Sequence, residues 1–255
     1  MYGAFDQVIA ALVGALVGVG IMGIADHFTF NHSLWPVPVC AHCGRRAPAR
    51  AWLPIVGLFG TQRSCTACNR PGAWRVALVV QLVSAALAVL LLRRYGVGLL
   101  LGSAAVETIV LTTVAVIDMQ HRLIPTLLVY PTIVFALACS AFWPNLGLWN
   151  SLLGGGLAFA LFFGLALIAR LVFGDGALGD GDVTLAALIG TICGYPMVVW
   201  SLALGAFAGG LGALLLLAIR RSPLGTTIPY GPYLVIGVVY VLLMGNTIHP
   251  LYAVI

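Results

Sequence analysis

The chain has 255 residues, 62% of them hydrophobic and only 7% charged, with a formal net charge of +5. Soluble domains carry about 45–50% and about 25% of these classes, so twelve cationic and seven acidic side chains are too few to solvate a globule of this length. Repeated apolar runs long enough to cross a bilayer predict an all-α polytopic membrane protein. No basic stripe with interleaved aromatics is present, which argues against nucleic acid as a partner and makes the bilayer itself the first one.

The first apolar run, residues 7–25, follows Met1-Tyr2-Gly3-Ala4-Phe5-Asp6. With no positive segment before it and no small-residue cleavage pattern after it, a retained helix is expected rather than a signal peptide. A polar, Pro- and Cys-rich stretch then covers 26–74. It divides the chain into a first transmembrane helix (1–25), a loop domain (26–74) and a seven-helix membrane domain (75–255). Further runs lie at 75–92, 97–117, 123–143, 150–173, 183–194, 197–219 and 230–248, giving eight expected spans. The sixth is short for the hydrocarbon core and is separated from the seventh by Tyr195-Pro196. Gly154-Gly155-Gly156 and Gly209-Gly210 would let neighbouring helices approach closely.

All twelve cations are arginines. If the 26–74 loop is cytoplasmic, eight spans place Arg45, Arg46, Arg50, Arg63, Arg70, Arg75, Arg122, Arg170, Arg220 and Arg221 inside and only Arg93 and Arg94 outside. This agrees with the positive-inside rule and puts both termini outside. The same topology brings Asp118, at the end of span three, and Asp182, at the start of span six, to one cytoplasmic face.

Cys40-Ala41-His42-Cys43 and Cys65-Thr66-Ala67-Cys68 form a paired CxxC with 21 residues between the pairs. Two such knuckles can complete a tetrahedral four-thiolate zinc site of structural kind, Cys40, Cys43, Cys65 and Cys68 being the ligands. His42 could replace one cysteine, and two disulfides or a dithiol redox centre are the alternatives, against which a reducing cytoplasmic loop argues. Cys139 and Cys193 fall in apolar spans and read as small buried hydrophobes.

Two acidic segments carry the remaining chemistry. In Ile117-Asp118-Met119-Gln120-His121-Arg122-Leu123-Ile124-Pro125, Pro125 is expected in the first turn of span four, where its missing N–H costs nothing. Asp118 then stands at a helix end; on this segment alone, an interfacial pair with Arg122 is as good a reading as a functional one. Gly174-Asp175-Gly176-Ala177-Leu178-Gly179-Asp180-Gly181-Asp182 contains a formal GxGxxG. A dinucleotide site is rejected, because no βαβ unit surrounds it and three aspartates would repel a pyrophosphate. An EF-hand fails on acidic spacing. What remains is a glycine turn that lets backbone or substrate approach an aspartate closely.

Two carboxylates on one face, each partly desolvated, can share a proton, so that one activates water while the other protonates a scissile carbonyl. The chemistry inferred is peptide hydrolysis at the cytoplasmic membrane surface. An ion-coupled transporter is a second reading, but transporters place such carboxylates near the midplane between inverted repeats. A membrane thiol oxidoreductase using the CxxC pairs is a third.

These residues resemble the bacterial type IV prepilin peptidases, the GxGD-type aspartic membrane proteases of peptidase family A24. The Asp118 segment, with His121 and Leu123-Ile124-Pro125, is similar to the family's first aspartate motif. Gly179-Asp180-Gly181-Asp182 reads as its GxGD motif, and Ile228-Pro229-Tyr230-Gly231-Pro232-Tyr233 resembles a further signature. The resemblance implies Asp118 and Asp182 as the catalytic pair, with Gly179, Gly181, His121, Arg122, Pro229, Tyr230 and Gly231 around them. It also implies an inner-membrane enzyme that cuts the basic leader from type IV prepilins or pseudopilins for pili, type II secretion or competence. Many members also methylate the new N-terminus with S-adenosylmethionine, an activity associated with the cysteine loop. The chain differs from the family pattern at Gln81, where a glutamate is usual, at Ala51-Trp52-Leu53-Pro54 and at Gly23-Ile24-Ala25-Asp26-His27. It differs nearer the aspartates at Thr126 and Thr184. Glu107, about three helical turns before Asp118, is expected to be buried in span three, as a structural group or as one that touches substrate or relays protons.

Overall fold

A computed structural model describes residues 2–30, 43, 67–68, 74–144, 146–174, 179–220 and 229–248. Among them eight helices follow in chain order: α1 (Ala4–Phe30), α2 (Trp74–Tyr95), α3 (Leu99–His121), α4 (Thr126–Ser140), α5 (Gly147–Phe173), α6 (Asp180–Cys193), α7 (Met197–Arg220) and α8 (Gly231–Ile248). No strand occurs among the described residues. Each helix falls on one of the eight apolar runs.

Five of them, α1, α2, α3, α5 and α7, are long and apolar enough to cross a membrane. The others are short. α4 has 15 residues and α6 has 14, or about 22 Å and about 21 Å at 1.5 Å per residue, against about 30 Å of hydrocarbon. α4 is shorter than its apolar run because Pro125 stands at the N-cap in extended conformation (ψ 101°), one position before the expected first turn. Its carbonyl accepts the N–H groups of Leu128 at 3.0 Å and Val129 at 3.3 Å. At the other end the chain turns after Ser140, and the Trp143 indole donates to Ser103 Oγ on α3 at 3.0 Å. α6 stops at Gly194 (φ 64°, ψ 171°), a backbone region in which glycine alone is at ease.

The chain divides into two compact units, Met1–Leu101 and Gly102–Ile255. In the first, α1 and α2 pair antiparallel through two glycines one turn apart. A Cβ at Gly14 would meet Ala88 Cβ at 2.7 Å, and one at Gly18 would meet Gln81 Cα at 2.8 Å. Gln81 is buried in that seam. The free ends of the pair are tied by Tyr2, whose hydroxyl accepts the Val97 N–H at 2.7 Å, and by Arg93, which donates to Gln7 Oε1.

The second unit is built around α6. Leu185, Leu188 and Ile189 are fully buried together with Leu111 and Val114 of α3, Val129 of α4, Met197 and Val198 of α7, and Leu234 and Val238 of α8. A helix apolar on all sides belongs in a core, and α6 needs no membrane-length exterior because the other helices surround it. Large exposed side chains such as Leu157, Leu161, Leu165 and Leu171 leave α5 the apolar outer face that lipid requires. The close approach expected of Gly154 and Gly155 is made against α6. A Cβ at Gly154 would lie 2.7 Å from Gly194 Cα, one at Gly155 would meet the Thr191 side chain, and one at Gly190 would meet the Gly154 backbone. Ser151 Oγ donates to Thr191 O at 2.7 Å across the same contact. Gly190→Leu should therefore overpack this seam and cost about 1–3 kcal/mol, read as a lower thermal midpoint in detergent. Gly156→Leu, at a glycine with nothing within 4 Å of its Cβ position, should leave the midpoint unchanged.

Candidate active site

Asp118 lies in the last turn of α3. Arg122 ends that helix in the left-handed region (φ 56°), its N–H bonded to Asp118 O at 2.9 Å. This is a single-bond left-handed cap, held by a residue for which the conformation costs about 1–2 kcal/mol. The turn sends Leu123-Ile124-Pro125 away from the helix axis and leaves Arg122 and Leu123 exposed, while Asp118 is buried at 5% exposure. Such a carboxyl group needs a partner. It has one in Gly231, whose N–H donates to Asp118 Oδ2 at 2.9 Å across 113 residues of chain. Gly231 opens α8, and the first N–H groups of a helix have no intrahelical acceptor. Asp118 thus caps a second helix from the end of its own. A Cβ at position 231 would stand 2.7 Å from Asp118 Oδ2 and 3.2 Å from its Cγ, so only glycine lets the backbone come this close.

Asp182 is placed by a local device. Gly179 is the extended N-cap of α6 (φ −73°, ψ 139°). The Asp182 N–H donates to Gly179 O at 3.0 Å, and the Gly179 N–H donates back to the Asp182 carboxylate. The Asp182 carboxylate thus supplies the N3 half of a capping box, while the other bond is a backbone turn, since a glycine N-cap has no side chain to complete the box. The glycines of the turn do different work. A Cβ at Gly181 would meet Ile124 Cβ at 2.7 Å, whereas one at Gly179 would make only an ordinary 3.4 Å contact with Asp182 Oδ2. The close approach that Gly181 permits is therefore occupied by Ile124, which seats α6 against the loop leaving α3. Asp180 faces outward and pairs with Arg170 at 3.2 Å, both side chains being well exposed, an arrangement worth little.

The two carboxylates are within electrostatic reach of each other, and Arg122 is within reach of Asp118. Tyr230 completes the cluster. Its phenol is pushed above the usual tyrosine range, first by burial and then by the Asp182 carboxylate. The structure thus gathers Asp118, Arg122, Gly179, Gly181, Asp182, Tyr230 and Gly231 from three segments distant in sequence. His121, half-buried, is the last residue of α3, and half-buried Pro229 precedes Tyr230 in the approach to α8.

Glu107 is not among them. Buried at 3% exposure on α3, its electrostatic neighbours are Cys139 and Cys193, the two cysteines expected in apolar spans, of which Cys193 is buried and Cys139 half-buried. Of the expected metal ligands, Cys43 and Cys68 each lie in a turn, while Cys40 and Cys65 lie outside the described residues, and no cluster of metal-binding side chains occurs among the described ones. Two features of the site escaped sequence reading. Nothing about an arginine signals a left-handed cap at 122, and the pairing of Gly181 with Ile124 is visible only once α6 is packed.

The sequence pattern of the type IV leader peptidase family matches residues 105–214, a stretch that includes both aspartates. The prepilin leader peptidase/N-methyltransferase of Bacillus subtilis is 30% identical over 224 residues, covering 85% of each chain. That of Pseudomonas putida is 29% identical over 235 residues, 89% of this chain and 78% of the relative, and that of Pseudomonas aeruginosa 28% over 222 residues, 86% and 75%. No solved structure matches the chain. The 30% identity to the Bacillus subtilis relative over 85% of each chain, with the buried Asp118 and the half-buried Asp182 inside the matched stretch, gives one conclusion: the chain belongs to the type IV leader peptidase family.

Proposed function

We propose that this protein is a membrane aspartic endopeptidase that removes the leader of type IV prepilins or pseudopilins, with Asp118 and Asp182 as its catalytic pair. The observation that carries the reading is the meeting of these two carboxylates at helix ends in a chain of this family. Two acids this close do not ionise independently, so the dyad titrates as a unit and neither aspartate is permanently base or acid. The ionised carboxylate takes a proton from water as the water oxygen adds to the scissile carbonyl carbon. The protonated partner hydrogen-bonds the carbonyl oxygen. Breaking the C–N bond then releases the amine, which takes up a proton from the dyad. Placement of both aspartates at helix ends favours this chemistry over an ion-coupled transporter, whose carboxylates belong near the midplane.

The protein would reside in the bacterial inner membrane, and the distribution of arginines between the apolar runs supports a cytoplasmic face for the dyad. The four cysteines are a donor set suited to a closed tetrahedral zinc site, which would fold the 26–74 loop and take no part in hydrolysis. Transfer of a methyl group from S-adenosylmethionine to the new N-terminus is proposed as a second activity, on the strength of the relatives' names. The cofactor would supply the electrophilic methyl group.

Asp118→Asn and Asp182→Asn should each lower leader cleavage by about 10²–10⁴-fold while the protein still inserts. Asp180→Asn should cleave as wild type. Reconstituted protein and a prepilin, resolved by the mobility shift of the product, decide this, and continued cleavage by either mutant would exclude the dyad. Elemental analysis of the purified chain should find one zinc per protein, lost on Cys→Ser substitution at 40, 43, 65 or 68; thiols that cycle between oxidation states would point to the oxidoreductase instead. Labelled S-adenosylmethionine in the cleavage reaction should place label on the trimmed N-terminus, and an unlabelled product would remove the second activity.

A further inference from the structure

The bond between Gly231 and Asp118 raises the question of what holds the start of α8 in place. Tyr230 of the Pro229–Tyr233 segment packs half-buried against the α6 core, and the segment's backbone must stay within hydrogen-bonding distance of Asp118. Further contacts that fix it come from α7. Gly205, Gly209 and Gly212 are spaced so that they share one face of that helix. A Cβ at Gly205 would meet Leu234 Cα at 3.0 Å. One at Gly209 would meet Tyr230 Cε2 at 2.8 Å and Tyr233 Cβ at 3.6 Å, and one at Gly212 would meet Tyr233 Cε1 and Cζ at 2.6 Å. Gly210, the next residue round the helix, has nothing within 4 Å. In a helix interior glycine is less favourable than alanine by about 1 kcal/mol, so three glycines on one face are a cost that close packing has to offset. Here the packing is against two aromatic rings that flank the residue bonded to Asp118.

We infer that Gly209 and Gly212 of α7 are positioning residues of the active site: they form a socket for the rings of Tyr230 and Tyr233 and thereby hold the Gly231 N–H on Asp118. The inference rests on the peptidase reading for its consequence in catalysis, but the positioning itself is a property of the fold. Because the socket sets the place of a backbone donor to Asp118, its loss is expected to act on turnover more than on substrate binding.

The test uses the full-length protein in lipid nanodiscs. Gly212→Ala pushes Tyr233 out of its seat, Tyr233→Leu empties the seat without adding an atom, and the double variant restores volume. Gly210→Ala is the control. Each single variant at the socket should lower kcat for prepilin cleavage by about 10- to 100-fold with a smaller change in KM, and the double variant should recover most of the loss. Hydrogen exchange of the peptide containing Gly231 supplies a readout that needs no substrate: the Gly231 amide should be protected in wild type and exchange faster in the single variants. Wild-type kcat and wild-type protection in Gly212→Ala would overturn the inference. If Gly212→Ala does not fold, Tyr233→Leu decides by the same two readouts. Should wild type fail to cleave any prepilin, the peptidase reading falls, and exchange at Gly231 still upholds or overturns the socket.

Discussion

The hydrogen bond from the Gly231 N–H to Asp118 Oδ2 joins two problems that the fold must solve together. A buried carboxyl group at the end of α3 needs a donor, and the first N–H of α8 needs an acceptor where water is scarce. Each solves the other. The price of that economy is geometric: the helix that begins at residue 231 must arrive at a point set by a helix that ends at residue 121, and the residue making the approach can have no side chain.

The rest of the second unit follows from keeping those ends in register. α6 is short and largely buried from Val183 onward, so its half-buried first turn is carried on a fixed core. Backbone contacts at Gly154 and Gly190 bind it to α5, and Gly181 lies directly on Ile124. Asp182 is therefore located by the α6 core, and Asp118 by α3 and α8. The two meet because Ile124 touches α6 just after Arg122 has turned the chain out of α3. Interiors packed in this way transmit displacement and do not absorb it, which is why contacts as remote as those on the glycine face of α7 bear on the carboxylates.

Charge is used sparingly and in separate roles. The exposed Asp180–Arg170 pair sits two residues from Asp182 and does little for stability. Glu107, buried on the same helix as Asp118, keeps company with cysteines and not with the dyad. Acidic residues close in sequence or on one helix thus have different surroundings, which composition cannot reveal.

Much was already legible in the chain. Hydropathy located each of the eight helices among the described residues, because an apolar run in a bilayer has no backbone solution but a helix. The arginines predicted that Asp118 and Asp182 share a face, and the two carboxylates lie within electrostatic reach of each other. Helix length was less legible: the run at 123–143 yields only Thr126–Ser140 because Pro125 and the turn after Ser140 trim it. Tertiary structure alone decided the partners. That Asp118 is capped by Gly231, that Gly181 is filled by Ile124 and that the glycines of α7 seat Tyr230 and Tyr233 are contacts between segments far apart in sequence. Periodicity describes how one helix is faced, whereas these contacts depend on the distance between helices, which is set by side-chain volume and by the absence of a Cβ.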